Sequence, residues 1–217
     1  MTTAAEERTI ERLPVNEAFG KLPADEAVER TAEALRKRKL EVFVVGTADE
    51  ARDLALRLIP EGSEVGQGAS ETLERIGLTE ALRDGRFSPV RDRTRTMDRA
   101  TQFREIRKLS ASPDVQVNSV QAVTEDGRIL IASNTGSQLG PIASGAGKVI
   151  LIVGAQKIVP NLDEAFRRVE EYSLPIEDYR FQRDFGWRSA VNKTLIFDGE
   201  FMPGRTTVIL VRESVGV

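Results

Sequence analysis

Apolar positions recur at helical spacing from Pro23 onward. Ala27, Val28, Thr31, Ala32 and Leu35 fall at i, i+3 and i+4, which predicts a helix running to about Leu40. Val42–Val45 is a short unbroken apolar run, the mark of a strand covered on both faces. Thr47 heads a capping box with Glu50, and Ala51, Leu54, Ala55 and Leu58 make one stripe behind it. Pro60-Glu61-Gly62 ends that helix. Ser63–Gly66 reads as a strand feeding a Gly-rich turn, Gly66-Gln67-Gly68-Ala69-Ser70, and a helix follows with Leu73 and Ile76.

The middle of the chain is charged. Arg91-Asp92-Arg93-Thr94-Arg95 reads as a solvated connector. Met97–Leu109 is expected to be a helix with Ala100, Phe103 and Ile106 inward, stopped by Ser112-Pro113-Asp114. Residues 115–133 read as a hairpin-like pair about the turn Thr124-Glu125-Asp126-Gly127. A loop of small and polar residues, Ser133–Pro141, leads to a short helix over Ile142–Gly147. Lys148–Gly154 is the strongest strand. Asn161 then caps a helix with Leu162, Phe166, Val169 and Tyr172 inward.

Thr194–Phe197 and Thr207–Val211 predict a C-terminal β-hairpin with a long loop. The alternation of short strands and helices predicts an α/β fold: a mostly parallel sheet flanked by helices. Residues 1–20 have weak periodicity and are expected to form a mobile arm, with 21–217 a single domain. There is no internal repeat.

Composition narrows the chemistry. The 217 residues include no cysteine and no histidine. This excludes disulfides, thiolate–imidazole zinc sites and chain-ligated iron–sulfur clusters. It also excludes any Ser-His-Asp or Cys-His pair. Acid–base work falls to carboxylates, Lys or Tyr, and a metal would need oxygen ligands; no metal site or cofactor is evident. With 31 Lys+Arg against 34 Asp+Glu the net charge is −3, which gives no basic surface for nucleic acid and no polybasic membrane signal. The first residues are polar and acidic, unlike a signal peptide. The longest apolar run, Val149–Val153, is too short to span a bilayer. The reading is a soluble cytoplasmic protein.

Loops at strand ends are the candidate sites, because ligands of open α/β sheets bind beyond the carboxyl ends of the strands. Gly66, Gln67, Gly68 and Ser70 form a turn suited to close backbone approach by an anion, or simply a tight strand–helix turn. Asn134, Thr135, Gly136, Ser137 and Gln138 carry more polar groups than a turn needs. Ligand contact is favoured there over a plain N-cap by Thr135 or Ser137. Lys157, just past the strongest strand, is placed to pair with an anion. Glu125 stands as the candidate nucleophile or base, although acidic residues before Gly are common in turns. Trp187 and Tyr179, among Arg180, Arg183 and Arg188, suggest a packing anchor or subunit contact.

Three blocks carry a family resemblance. They are Ile59-Pro60-Glu61-Gly62-Ser63 with Thr72–Gly77, then Ala122–Gly127, then Val149–Val159 followed by Ala165 and Leu174-Pro175. In order and spacing the chain resembles the lactate-utilization (LUD) domain family from about residue 23 onward, in its small cluster-free type. The resemblance implies a fold like that of the glucosamine-phosphate deaminase, ribose-phosphate isomerase and CoA-transferase group. It also implies a link to bacterial L-lactate oxidation beside iron–sulfur or oxidoreductase subunits.

Related members tend to have Arg where this chain has Gln138. Gln121 falls near the position of a catalytic Asp in isomerases of the fold. Thr124-Glu125-Asp126-Gly127 resembles the Glu motif of its CoA-transferases. The expectation is therefore an accessory or ligand-binding subunit for a small anionic metabolite, and a homo-oligomer. The alternative is an enzyme acting through Glu125 on a phosphorylated or CoA-linked molecule.

Overall fold

The capping box read at Thr47 is formed: its hydroxyl accepts from Glu50 N at 3.2 Å, and the Glu50 carboxylate accepts from Thr47 N. The computed structural model describes residues 10–217. In chain order, the first half comprises α1 (Asp25–Lys37), β1 (Glu41–Val45), α2 (Ala48–Leu58), β2 (Glu64–Gln67), α3 (Glu71–Arg75), α4 (Leu78–Ala81), β3 (Ser88–Pro89), α5 (Val90–Arg95) and α6 (Phe103–Ala111). The second half comprises β4 (Val115–Ser119), β5 (Ala122–Thr124), β6 (Ile129–Ser133), β7 (Lys148–Gly154), β8 (Ile158–Val159), α7 (Leu162–Arg168), α8 (Leu174–Phe185), β9 (Lys193–Phe197) and β10 (Thr206–Val211).

Six strands form one parallel sheet in the order β1-β10-β7-β4-β2-β3. A second sheet, β8-β5-β6-β9, is mixed. Strand periodicity explains the layering. Along β7, Val149, Leu151 and Val153 face one core with α1 and the second sheet. Ile150 and Ile152 face another, with α2, α3 and α4. β10 repeats the pattern with Val208 and Leu210 against Ile209 and Val211. Each such side chain, fully buried, contributes about 1.5–3 kcal/mol of transfer free energy. The outer face of the second sheet packs on α7 through Leu130, Val159, Ala165 and Val169.

Between α7 and α8 the helix widens into a π turn, Val169–Ser173. Pro175 has no N–H, so the carbonyl of Glu171 loses its helical donor. Asn16 N donates to that carbonyl at 2.8 Å, and Asn16 Nδ2 donates to Glu171 Oε2 at 2.8 Å. Of the arm expected over residues 1–20, residues 1–9 lie outside the described residues. Glu17–Gly20 forms a 3₁₀ turn, and its Phe19 packs on the outer cluster.

The structure corrects several expectations. There is no C-terminal hairpin: β9 pairs with β6 in the second sheet, while β10 lies between β1 and β7 in the first. β10 is apolar on both faces and belongs inside a parallel sheet. β9 is an edge strand with one face open. Within 115–133 only β5 and β6 form a hairpin; β4 belongs to the large sheet.

The charged connector is the helix α5, which buries Val90 and pairs Arg93 with Glu64. Phe103 and Phe166, both expected inward, are 53% and 39% exposed. The short helix after the polar loop is a π turn, Pro141–Gly145. Trp187 is 67% exposed and anchors no core.

The Thr124–Gly127 turn lies against the end of α1. At Gly127 φ is +88°, and a Cβ would meet Ala34 C at 2.7 Å. At Gly62 φ is +79° but the space is open. Gly62→Ala is therefore expected to cost only the left-handed backbone term, about 1–2 kcal/mol. Gly127→Ala adds overlap, for a total on the order of 2–5 kcal/mol. Urea unfolding of the two variants measures the difference; equal losses would show that the close approach to α1 carries no weight.

Candidate functional site

Three adjacent strands of the large sheet and one of the second sheet end in polar residues around one cavity. β2 runs into Gly68-Ala69-Ser70, and β4 ends in Asn118-Ser119. β6 ends in Ser133-Asn134, and β7 passes into a 3₁₀ turn, Ala155–Lys157. Their carboxyl ends surround a cavity of about 210 Å³. The far wall is the π turn and α8, through Val169, Ser173, Glu177 and Arg180, and the loop Ser189–Val191 closes it. That loop is pinned by the buried Asp178, which accepts from Arg188 Nε at 2.8 Å and Ser189 N at 2.7 Å.

Lys157 sits at the base, 1% exposed. Its Nζ donates to Thr72 Oγ1 and Ser119 Oγ, both at 3.0 Å, and to the carbonyl of Val120 at 3.1 Å. Both hydroxyls pass their own protons on, Ser119 to Ile152 O at 2.7 Å and Thr72 to Val215 O at 3.2 Å. They thus offer lone pairs, which suits an ammonium. Burial works the other way and pushes the Lys157 ammonium well below the usual lysine range. The Arg168 guanidinium adds to this, and Glu71 opposes it. No hydrogen-bonded carboxylate compensates among the described residues, so the downward direction prevails.

Arg168 is the second buried base. It is fully buried at the end of α7, donates to Gln121 O and to Ser173 Oγ at 3.1 Å, and lies 4.9 Å over the Tyr172 ring. Its Nε and Nη2 have no partner among the described residues. Burial lowers its pKa to about 10, so it stays charged at neutral pH. At the rim, Arg180 is held by both oxygens of Glu177, at 2.7 and 2.9 Å.

The loops carry their own bonding. Asn118 Oδ1 accepts from Gly68 N at 3.1 Å. Gln121 Oε1 accepts from Ala132 N at 2.8 Å. Ser133 Oγ donates to Gln138 Oε1 at 3.0 Å and accepts from Gly136 N at 2.8 Å. Thr135 and Ser137 bond to each other, and the π turn that follows has no side-chain cap. The plain N-cap, the less favoured alternative for these residues, is therefore not made.

Gly68, Ser70, Gln121, Asn134, Thr135, Ser137, Gln138 and Lys157 all line the cavity. Gly66 and Gln67 line an adjoining one of about 200 Å³ that shares Gly68, Ala69, Ser137 and Gln138. Gly136 lines neither, and serves the loop through its φ of +83°. Glu125 lies elsewhere, in the turn beyond β5, where both Arg30 Nε and Nη2 donate to its Oε2, at 3.2 and 2.9 Å.

Thr72, Asn118, Ser119, Arg168 and Ser173 escaped the sequence reading. Two of these positions carried a signal. Arg168 falls on the apolar stripe of its helix with Ala165, Val169 and Tyr172. Asn118-Ser119 interrupts a strand that is otherwise buried. Among the described residues, no group of acidic side chains is placed to hold a metal ion, and no helix is long and apolar enough to cross a membrane.

The LUD domain family model matches residues 28–211. No curated protein matches. Among solved structures the chain is similar to a DUF162 family protein from Deinococcus radiodurans, with 13% identity and a TM-score of 0.54 over 88% of this chain and 99% of that one. At that identity the likeness concerns the fold alone. DUF162 is the former name of the LUD domain.

The buried amine makes the site unfavourable for stability. Lys157→Met keeps the length and removes the charge. The variant is expected to be more stable than the parent by roughly 1–4 kcal/mol, as for other buried ionic groups replaced by apolar ones. The gain depends on pH. The folded pKa lies below the unfolded one, so between them the unfolded chain binds the extra proton and the parent gains stability as pH rises. The advantage of Met is therefore largest below the lowered pKa and vanishes toward the ordinary lysine range near 10.4. Urea midpoints across pH measure it; a destabilised variant with a pH-independent loss would refute it.

Proposed function

We propose a function from one premise: this chain belongs to the LUD domain family, which is linked to lactate utilization in general. In our reading it is an accessory, ligand-binding subunit of bacterial L-lactate oxidation. It holds a small organic acid at the carboxyl ends of its strands. One observation carries this: fully buried Lys157 lines a small polar cavity, and fully buried Arg168 stands behind its wall, with no carboxylate bonded to either among the described residues. Uncompensated buried charge is unfavourable, and an entering anion supplies the missing partner.

The walls suit a carboxylate with a neighbouring oxygen. Ser70, Thr72, Ser119, Ser137 and Ser173 offer hydroxyls, and Gln121, Asn134 and Gln138 offer amides. A cavity of about 210 Å³ favours a small acid over a cofactor-sized molecule. Phe185 and Trp187, 61% and 67% exposed, flank the cavity loop and supply apolar area for an oxidoreductase subunit or a second copy of the chain. Glu125, paired with Arg30 outside the cavity, lends no support to catalysis through that carboxylate.

Thermal melting with lactate, pyruvate and lactamide tests the reading. The two anions are expected to raise the melting temperature, while the uncharged amide does not. A ligand at a hundred times its dissociation constant adds about 2.7 kcal/mol. Lys157→Met should abolish the shift and Glu125→Gln should leave it intact. No shift with either anion, or a full shift in Lys157→Met, would overturn the proposal.

A further inference from the structure

We propose that Lys157 Nζ is a nucleophile that captures the carbonyl carbon of a small 2-oxo acid as a reversible imine. This rests on the organic-acid reading above and narrows its ligand to acids bearing a carbonyl beside the carboxylate.

The geometry supplies what an amine nucleophile needs. Nζ lies at the base of the cavity, shielded from bulk water and bonded only to oxygens of Thr72, Ser119 and Val120. Among the described residues no carboxylate is bonded to it. A second cation, Arg168, stands near it, with no carboxylate bonded to it among the described residues. Desolvation and a neighbouring cation are the two general means of freeing a lysine amine at moderate pH. The charged groups around it are Arg168 from α7, Glu71 and Arg75 from α3, and Glu177 and Arg180 from the α8 wall. Of these, Arg168 and Arg75 disfavour the ammonium and Glu71 favours it.

The hydroxyls accommodate both protonation states. Ser119 is committed to Ile152 O at 2.7 Å, whereas the Thr72 bond to Val215 O is long at 3.2 Å. When Nζ loses a proton, the Thr72 hydroxyl can turn and donate to the lone pair until an electrophile takes it.

The chemistry balances without a redox partner. The Nζ lone pair attacks the carbonyl carbon, and the π pair moves to oxygen, which takes a proton. The nitrogen loses a proton, giving a neutral carbinolamine. Its hydroxyl takes a second proton and leaves as water while the nitrogen pair forms C=N, and the resulting iminium nitrogen gives up its remaining proton. Ketone plus amine gives imine plus water, and hydrolysis reverses it. Arg168 supplies positive potential for the ligand carboxylate throughout. Such a site takes up the product of oxidising a 2-hydroxy acid.

The test is reductive trapping. The protein is incubated with pyruvate and cyanoborohydride, weighed intact, and mapped by peptide mass spectrometry. The expected result is a single adduct on Lys157, none with lactate, and none in Lys157→Arg. Trapping should rise with pH through a midpoint below the ordinary lysine range. Pyruvate that raises the melting temperature yet leaves no Lys157 adduct, or adducts spread over several lysines, would overturn the imine and spare the binding reading. An adduct on Lys157 with no thermal shift from lactate would keep the imine and overturn the broader reading. Neither shift nor adduct would remove both.

Discussion

The amine of Lys157, held by three oxygens where the two sheets meet, is the contact on which the site depends. It ties the start of α3 through Thr72, the end of β4 through Ser119, and the step into the second sheet through Val120. Each of these segments turns at that point. An apolar residue at position 157 would let them close over one another, and the cavity would shrink. The lysine keeps the strand ends apart and polar. It does so at a cost in stability, because among the described residues neither it nor Arg168 is paired with an acid. Functional sites commonly show this exchange of stability for a poised group.

The cavity's rigidity comes from the cores on either side. β7 and β10 alternate Val, Ile and Leu between two faces, each covered, so the sheet has no freedom to adjust register. The loops leaving its strands start from fixed points. On the opposite wall, Pro175 and the π turn set Ser173 toward the cavity and Arg168 behind it. The carbonyl that Pro175 frees is taken by Asn16, so the N-terminal segment braces the same wall. Local covalent geometry thus reaches the site through one displaced hydrogen bond.

Much of this was legible in the sequence, for identifiable reasons. Local signals suffice where structure is local: the Thr47–Glu50 box, the Asn161 cap and the unbroken run at β7 depend on neighbours within a few residues. The loops at 66–70 and 134–138 were legible because polar residues cluster after strands, and most of them do line the cavity. The failures are those of long-range pairing. Thr194–Phe197 and Thr207–Val211 are adjacent in sequence and each is a genuine strand, so a hairpin is the nearest partner. Only the two-faced apolarity of the second, against the one-faced character of the first, separates them into different sheets. Glu125 has the local look of a reactive carboxylate, yet its turn projects away from the strand ends and toward Arg30. Thr72 and Ser173 carry no pattern at all, since their role exists only once distant segments converge.

The absence of histidine gives the buried lysine its meaning. A chain that needs a group titrating at moderate pH ordinarily uses imidazole. Without it, the remaining route is to move another group's pKa, and burial beside a cation moves lysine in the required direction. A buried carboxylate moved upward would meet the same need, but the two carboxylates lining this cavity, Glu71 and Glu177, are only half-buried and are paired with Arg75 and Arg180. The buried acid nearby, Asp178, is committed to Arg188, Gln182 and Ser189 and holds the loop rather than facing a ligand. Composition, topology and electrostatics therefore converge on a single side chain, and the positive charge beside it is what the proposal of an anionic ligand rests on.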